Sequence, residues 1–279
     1  MRPITPDDPE YPRQLLERPS PPSVLWVDGP PLSHSRAVAI VGSRKPSPAA
    51  KRFAEWLGEI VARRGTIVVS GGAFGIDSAA HRGACRGGQS WVVLPCALDK
   101  ALVKERDVDP ELYDRVKASG GALLSTFDPG TKAALPNHHI RNTTITRLVT
   151  DMVVVQAAKR SGSLSVGRKG LANGVRVFTF RGPCWDPLFG GTAELLQAGA
   201  VEPSSVRSLV KALTKPPPRP LRPDERSLVQ QLRNEPIHVD ELVLATSLPI
   251  GRVSSALLTL ALDNVVVEGP AGYFRRNST

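Results

Sequence analysis

Six short apolar runs, alternating with segments of helical spacing, constrain this chain more than any other feature. They are AVAIVG (37–42), TIVVS (66–70), SWVVLP (90–95), ALLST (122–126), DMVVVQ (151–156) and RVFTF (176–180). Runs this rich in Val and Ile, with no polar alternation, are strands buried on both faces, and the intervening helices are what cover them. Ser47-Pro48 makes an N-cap and first-turn pair for a helix reaching about Arg64. Its apolar positions Phe53, Trp56, Leu57, Ile60 and Val61 fall on one face. A second helix starts at Ile76, and Gly174 closes the helix before the last run. Residues 37–212 are therefore expected to form a doubly wound, mostly parallel, Rossmann-like α/β domain.

The flanks differ in composition. Residues 1–36 are proline-rich and are expected to be an extended arm around one strand, Val24 to Val27. Residues 213–223, with KPPPRPLRP at 215–223, form a stiff linker. Residues 224–279 hold three helical segments and VVVEGPAGYFRR, a hairpin turning at Gly269-Pro270, which together make a winged-helix pattern.

Charge separates these parts. The chain carries a net +10. Residues 224–279 have five Lys/Arg against seven Asp/Glu, a net −2, so the remainder carries +12. Duplex binding draws most of its affinity from neutralised phosphates. The winged helix is thus expected to contact protein rather than read DNA, and a polyanion site belongs on the α/β domain. Cys85, Cys96 and Cys184 form no CxxC or Cys/His cluster, so no metal is expected. Their low, odd count suits reduced thiols. No apolar stretch reaches the length of a membrane span and MRPITPDDPEYP has no signal-peptide core, so the expectation is a cytoplasmic protein with no membrane partner.

The first strand-to-helix turn is Gly42-Ser43-Arg44. A dinucleotide site wants GxGxxG there, and one glycine does not supply it, so no cofactor is expected. The turn instead offers a hydroxyl and a guanidinium, both phosphate ligands. The second turn, SGGAFGID, sets Ser70, Gly71, Gly72 and Gly75 before a helix start. Free backbone N–H groups there cradle anions, and Asp77 either complements the dipole or accepts from a base or sugar. Phe74, in the same turn, offers a ring for base stacking. HHIRNTTITRL (138–148) contributes His138, His139, Arg141 and Asn142, read as a loop and helix start. AAKRSGSLSVGRKG (157–170) combines Lys159, Arg160, Arg168 and Lys169 with the turn Ser161-Gly162-Ser163. His81 has no nucleophile partner in the pattern, so packing is its simpler reading. Each motif alone fits a solvated turn; together they belong to one edge of the sheet.

VAIVGSR, VVSGGAFGIDSAAHRGA, IRNTTI, SGSLSVGRKGLANGVRVFTFRG and GGTAELLQAGA, in this order and spacing, resemble the DprA/Smf family. The arm with YPRQLL and PPSVLWVDG and the winged-helix tail fit as well. The resemblance implies a non-enzymatic, dimerising protein that binds single-stranded DNA and passes it to the RecA recombinase in natural transformation. It places DNA contacts at Ser43 and Arg44, the Ser70–Gly75 turn, Arg141-Asn142 and the Ser161–Ser163 turn with its basic neighbours. Against the family pattern, Phe74 and Thr143 stand where arginines are usual, His138-His139 replace Phe-Pro, and Gln156 replaces an acid. His138, His139, Arg147, Arg168 and Lys169 are the candidates to compensate. GGTAE at 190–194 partly echoes the PGGxGTxxE of phosphoribohydrolases, which keeps a nucleotide sensor or hydrolase as the alternative.

Overall fold

A computed structural model describes residues 1–33, 35–99, 110–214, 221–233, 235–262 and 265–276. The chain divides into two units, Met1–Pro216 and Pro217–Thr279.

In the first unit the strands are β1 (Arg2–Ile4), β2 (Leu25–Asp28), β3 (Ala37–Val41), β4 (Ile67–Ser70), β5 (Ser90–Val93), β6 (Ala122–Ser125), β7 (Asp151–Val154) and β8 (Arg176–Thr179). The helices are α1 (Arg13–Leu16), α2 (Pro48–Ala62), α3 (Ile76–Gly87), α4 (Pro110–Ala118), α5 (Leu135–Leu148), α6 (Gly162–Ala172), α7 (Gly190–Gln197) and α8 (Val206–Thr214). One eight-stranded sheet runs in the order β1-β2-β6-β5-β4-β3-β7-β8. The six strands from β6 to β8 are parallel; β2 joins β6, and β1 joins β2, antiparallel.

Successive strand side chains point to opposite faces, and both faces are covered. Ala37, Ala39, Val41, Val69, Met152 and Val154 pack under α5, α6 and α7 through Ile145, Leu148, Leu164 and Leu195. Val38, Ile40, Val68 and Val153 pack under α2, α3 and α8 through Leu57, Val61, Ala80 and Leu209. Ser47 caps α2 as expected, its side chain accepting from Ala50 N at 3.2 Å. Asp151, buried at the start of β7, pairs with Arg36 and with Arg176, the latter at 2.6 Å.

Residues 1–36, expected as an extended arm, are instead built into the sheet and core. Two of their segments are paired strands, and Tyr11 and Leu15 are buried. Arg2 closes this segment on Glu10, whose other bond comes from Leu32 N at 2.9 Å. The HHIRNTTITRL segment is wholly helical, as part of α5.

The second unit holds α9 (Pro223–Gln231), β9 (Ile237–His238), α10 (Val239–Thr246), α11 (Ile250–Leu262), β10 (Val266–Glu268) and β11 (Tyr273–Arg276). The hairpin turns at residues 269–272, and the short β9 adds a third strand to it beside β11. Leu228, Leu242, Val253, Leu257, Leu260 and Phe274 form its own core. Among the described residues no single helix is long and apolar enough to cross a membrane.

Candidate nucleic-acid interface

From β3 the chain winds outward through β4, β5 and β6, then crosses back to lay β7 on the other side of β3. The strand order reverses there, so the loops leaving β3 and β7 diverge and open a crevice at the carboxyl edge, the usual ligand position in such sheets. The crevice has a volume of about 660 Å³. Ser43, Arg44 and Lys45 come from the β3 loop, Ala73 from the turn after β4, Asp77 from the first turn of α3, and Ser161, Gly162 and Ser163 from the start of α6. Helix α5 supplies Leu135, His138, His139, Arg141 and Asn142. Ten of the nineteen residues singled out from sequence line this one space. Lys45 lines it too and was missed, although it directly follows Ser43-Arg44.

The β3 loop is held from behind. Ser43 N donates to Gln156 O at 2.8 Å, and Ser47 N donates to Gln156 Oε1 at 2.9 Å. Ile76 N donates to Ser43 O at 3.1 Å. Buried Gln156 therefore braces the loop through its backbone carbonyl and its neutral side-chain amide. Ser43 Oγ accepts from Lys45 N at 3.1 Å, and Ser161 Oγ caps α6 by accepting from Leu164 N at 3.1 Å. Both hydroxyls keep a proton to donate outward.

The SGGAFGID turn does something other than what its sequence suggests. Ser70 is fully buried and donates its hydroxyl to Ile40 O at 2.7 Å. Asp77 is only 7% exposed and accepts from Gly42 N at 3.3 Å and Gly71 N at 3.2 Å. It ties the first two turns together rather than offering itself to a base. Gly71 is needed for clearance: a Cβ there would land on Arg141 Nη1 and come within 3.0 Å of Asp77 Oδ2. Gly75, at φ +93°, lets the Ser43 and Arg44 carbonyls approach its Cα. Gly72, at φ +72°, sits against Val92 and Tyr113. Gly71 thus gives its N–H to Asp77 and its open space to Arg141, so it is no free anion donor. Phe74 lies outside the crevice lining and is 42% exposed.

Arg141 is the central cation. It is 7% exposed, lines the crevice, and its Nη2 lies 3.4 Å from His138 Nδ1. Its Nε has no hydrogen-bond partner. Burial pushes the Asp77 carboxyl above its ordinary range, and Arg141 opposes that rise. Burial also lowers the Arg141 pKa, against the pull of Asp77, though an arginine stays charged. His81 is fully buried, and burial holds its pKa down at about 3. Its Nδ1 lies 2.6 Å from Ser90 Oγ, which donates to Val68 O at 2.8 Å. It is a neutral packed residue.

The basic residues after β7 divide. Lys159 and Arg160 are exposed beside the crevice without lining it, and Arg160 takes φ +58°. Arg168 is tied to Glu194 at 2.6 Å. That pair also occupies the acid of GGTAE, which stands outside the crevice lining. Lys169 Nζ donates to Thr143 Oγ1 at 2.7 Å and His139 O at 3.2 Å. A cation thus returns to the face of α5 where Thr143 replaces the family's arginine. Nothing local in the sequence connects residues 143 and 169.

Comparison with known proteins follows the same division of the chain. A family model, DNA recombination-mediator protein A, matches residues 2–214, and a DprA winged helix domain model matches residues 212–272. Protein Smf of Escherichia coli is 33% identical over 98% of this chain and 77% of its own length. DNA processing protein DprA of Bacillus subtilis is 33% identical over 68% of this chain and 64% of its own. The crystal structure of DprA from Streptococcus pneumoniae superposes with a TM-score of 0.62 at 28% identity, covering 75% of this chain and 73% of that one. DNA processing protein A of Helicobacter pylori, described for its single-stranded DNA binding mode, has the same fold. Its TM-score is 0.65 at 24% identity, covering 76% of this chain and 95% of that one.

Proposed function

The chain belongs to the DNA recombination-mediator protein A (DprA/Smf) family, and on that premise we propose that its crevice binds single-stranded DNA for delivery to the RecA recombinase during natural transformation. One observation carries the reading. The switch-point crevice gathers Arg44, Lys45 and Arg141 with three serine or amide side chains, Ser43, Ser163 and Asn142, on a unit of net +10. Cations and hydroxyl donors with no dinucleotide turn suit a phosphate backbone. The planar rings of His138 and His139 suit unstacked bases. The protein is then a binder, not an enzyme, acting as a homodimer in the cytoplasm, with its net-negative winged helix kept for protein contacts.

The test is a salt-titrated anisotropy assay with a labelled oligothymidylate. Each phosphate neutralised contributes about 0.7 to the slope of log affinity against log salt. Arg44→Ala is expected to weaken binding to all sequences alike and to flatten that slope by about 0.7. Affinity and slope equal to the unsubstituted protein would remove Arg44 from the interface. Hand-off is tested by whether the protein speeds RecA assembly on a strand already coated by a single-strand-binding protein; no acceleration rejects that role while leaving strand binding intact.

A further inference from the structure

Beyond the crevice, β8 leads into the loop RGPCWDPLFGG (181–191), which no motif above absorbed. Trp185 at its tip is 82% exposed. Such exposure of the largest side chain usually goes with a loose loop, but this loop is braced. Asp186 N donates to Pro183 O at 3.0 Å, closing a turn around Trp185. Asp186 Oδ1 accepts from Leu188 N at 2.9 Å, and the Phe189 ring fills the place of a Cβ on Gly182. The loop's far end is fixed to the segment after β7: Gly191 N donates to Ala157 O at 2.8 Å, and a Cβ on Gly190 would come within 2.9 Å of Lys159 Cγ. Strands β7 and β8 are parallel neighbours, so this turn leaves the same edge of the sheet as the crevice.

Exposed Lys159 and Arg160 lie on the segment that joins this braced loop to Ser161 in the crevice wall. Along this edge of the sheet the chain thus presents a donor at Ser161, cations at Lys159 and Arg160, and the exposed ring of Trp185 on the loop braced against that segment. That sequence of groups matches phosphates followed by an unstacked base. We propose that Trp185 is a stacking platform for a base of the same single strand, with Lys159 and Arg160 neutralising the phosphates between crevice and platform. The inference rests on the strand-binding reading above. A duplex does not meet it, because paired bases have no free face to stack.

The experiment uses the full chain and labelled oligothymidylates of about 4 and about 20 nucleotides, at the bottom and beyond the top of the site sizes of single-strand binders. Trp185→Ala is expected to weaken the long strand by about 5- to 150-fold and leave the short one unchanged. Trp185→Phe should keep most of the affinity, since it keeps a ring. Strand binding should quench tryptophan fluorescence in the unsubstituted protein and lose that quench in Trp185→Ala. Long-strand affinity and quench unchanged in Trp185→Ala would overturn the platform while the crevice stands. Equal losses for short and long strands would also overturn it, since Trp185 would then act on the crevice. Absence of any strand binding by the unsubstituted protein would overturn both readings. An oligouridylate arm separates the two strand chemistries: the platform predicts the same Trp185 dependence, and its loss there alone would reject stacking as the cause.

Discussion

Replacing Gly71 by alanine tests how the site is held together. The new methyl would occupy the position of Arg141 Nη1, with Asp77 Oδ2 at 3.0 Å. Either the surroundings yield, at the ~1–3 kcal/mol of an overpacked core, or the guanidinium is expelled. Expulsion leaves Asp77, 7% exposed, without the cation that opposes its burial. The two make no ion-pair contact, so the cost of a broken buried charge pair, about 3–5 kcal/mol, is an upper bound, and Asp77 relieves part of the loss by taking a proton. A net loss of about 3 kcal/mol is expected, or about 6–12 °C in Tm for a unit of this size. All four tryptophans, Trp26, Trp56, Trp91 and Trp185, lie in the first unit, so their fluorescence in urea reports that unit alone. Arg141→Ala should cost a similar amount, and it opens the space the methyl needs. Gly71→Ala in that background should then add no more than about 0.5 kcal/mol, giving a coupling of about 2–3 kcal/mol. Simple additivity of the two losses would show that Gly71 is not there to clear Arg141.

Two further outcomes follow from the same geometry. Buried His81 titrates near 3 in the folded chain and at 6.5 when exposed, so between those values the unfolded chain binds the extra proton. Stability is full above about pH 6.5 and falls as pH drops towards 3; the loss is about 2 kcal/mol near pH 5, and His81→Leu should remove that slope in urea titrations across pH. A chain ending at Pro216 should match the full chain in strand affinity and salt slope, because the removed residues 217–279 carry no net charge; a large loss would move phosphate contacts onto that part of the chain.

The sheet was legible because its parallel strands are short apolar runs rich in Val, the pattern that burial on both faces leaves. Ser47-Pro48 marked the start of α2 for equally local reasons. What escaped was long-range. RPI at residues 2–4 has no strand signal of its own and becomes β1 only because β2 offers it a partner. The three glycines of SGGAFG announced a close approach, but what approaches Gly71 is an arginine from a helix seventy residues further on. Lys169 on Thr143 and Gln156 on Ser47 are likewise contacts between segments with no shared spacing. Trp185 carried no motif at all; only its exposure on a braced turn singles it out.

The placement of β1 has a consequence for self-association. A sheet border with free N–H and C=O groups is a template on which further chains add. Here one border is β1, three residues long, with Pro3 at its centre opposite Trp26. Proline has no N–H to give, so this border cannot complete a ladder with a newcomer. At the other border β8 already exchanges bonds with Val201, through Thr179 N to Val201 O at 3.0 Å and Val201 N to Val177 O at 2.8 Å. Both rims of this eight-stranded sheet are thus poor templates for growth, and the unit is kept from polymerising through its sheet edges.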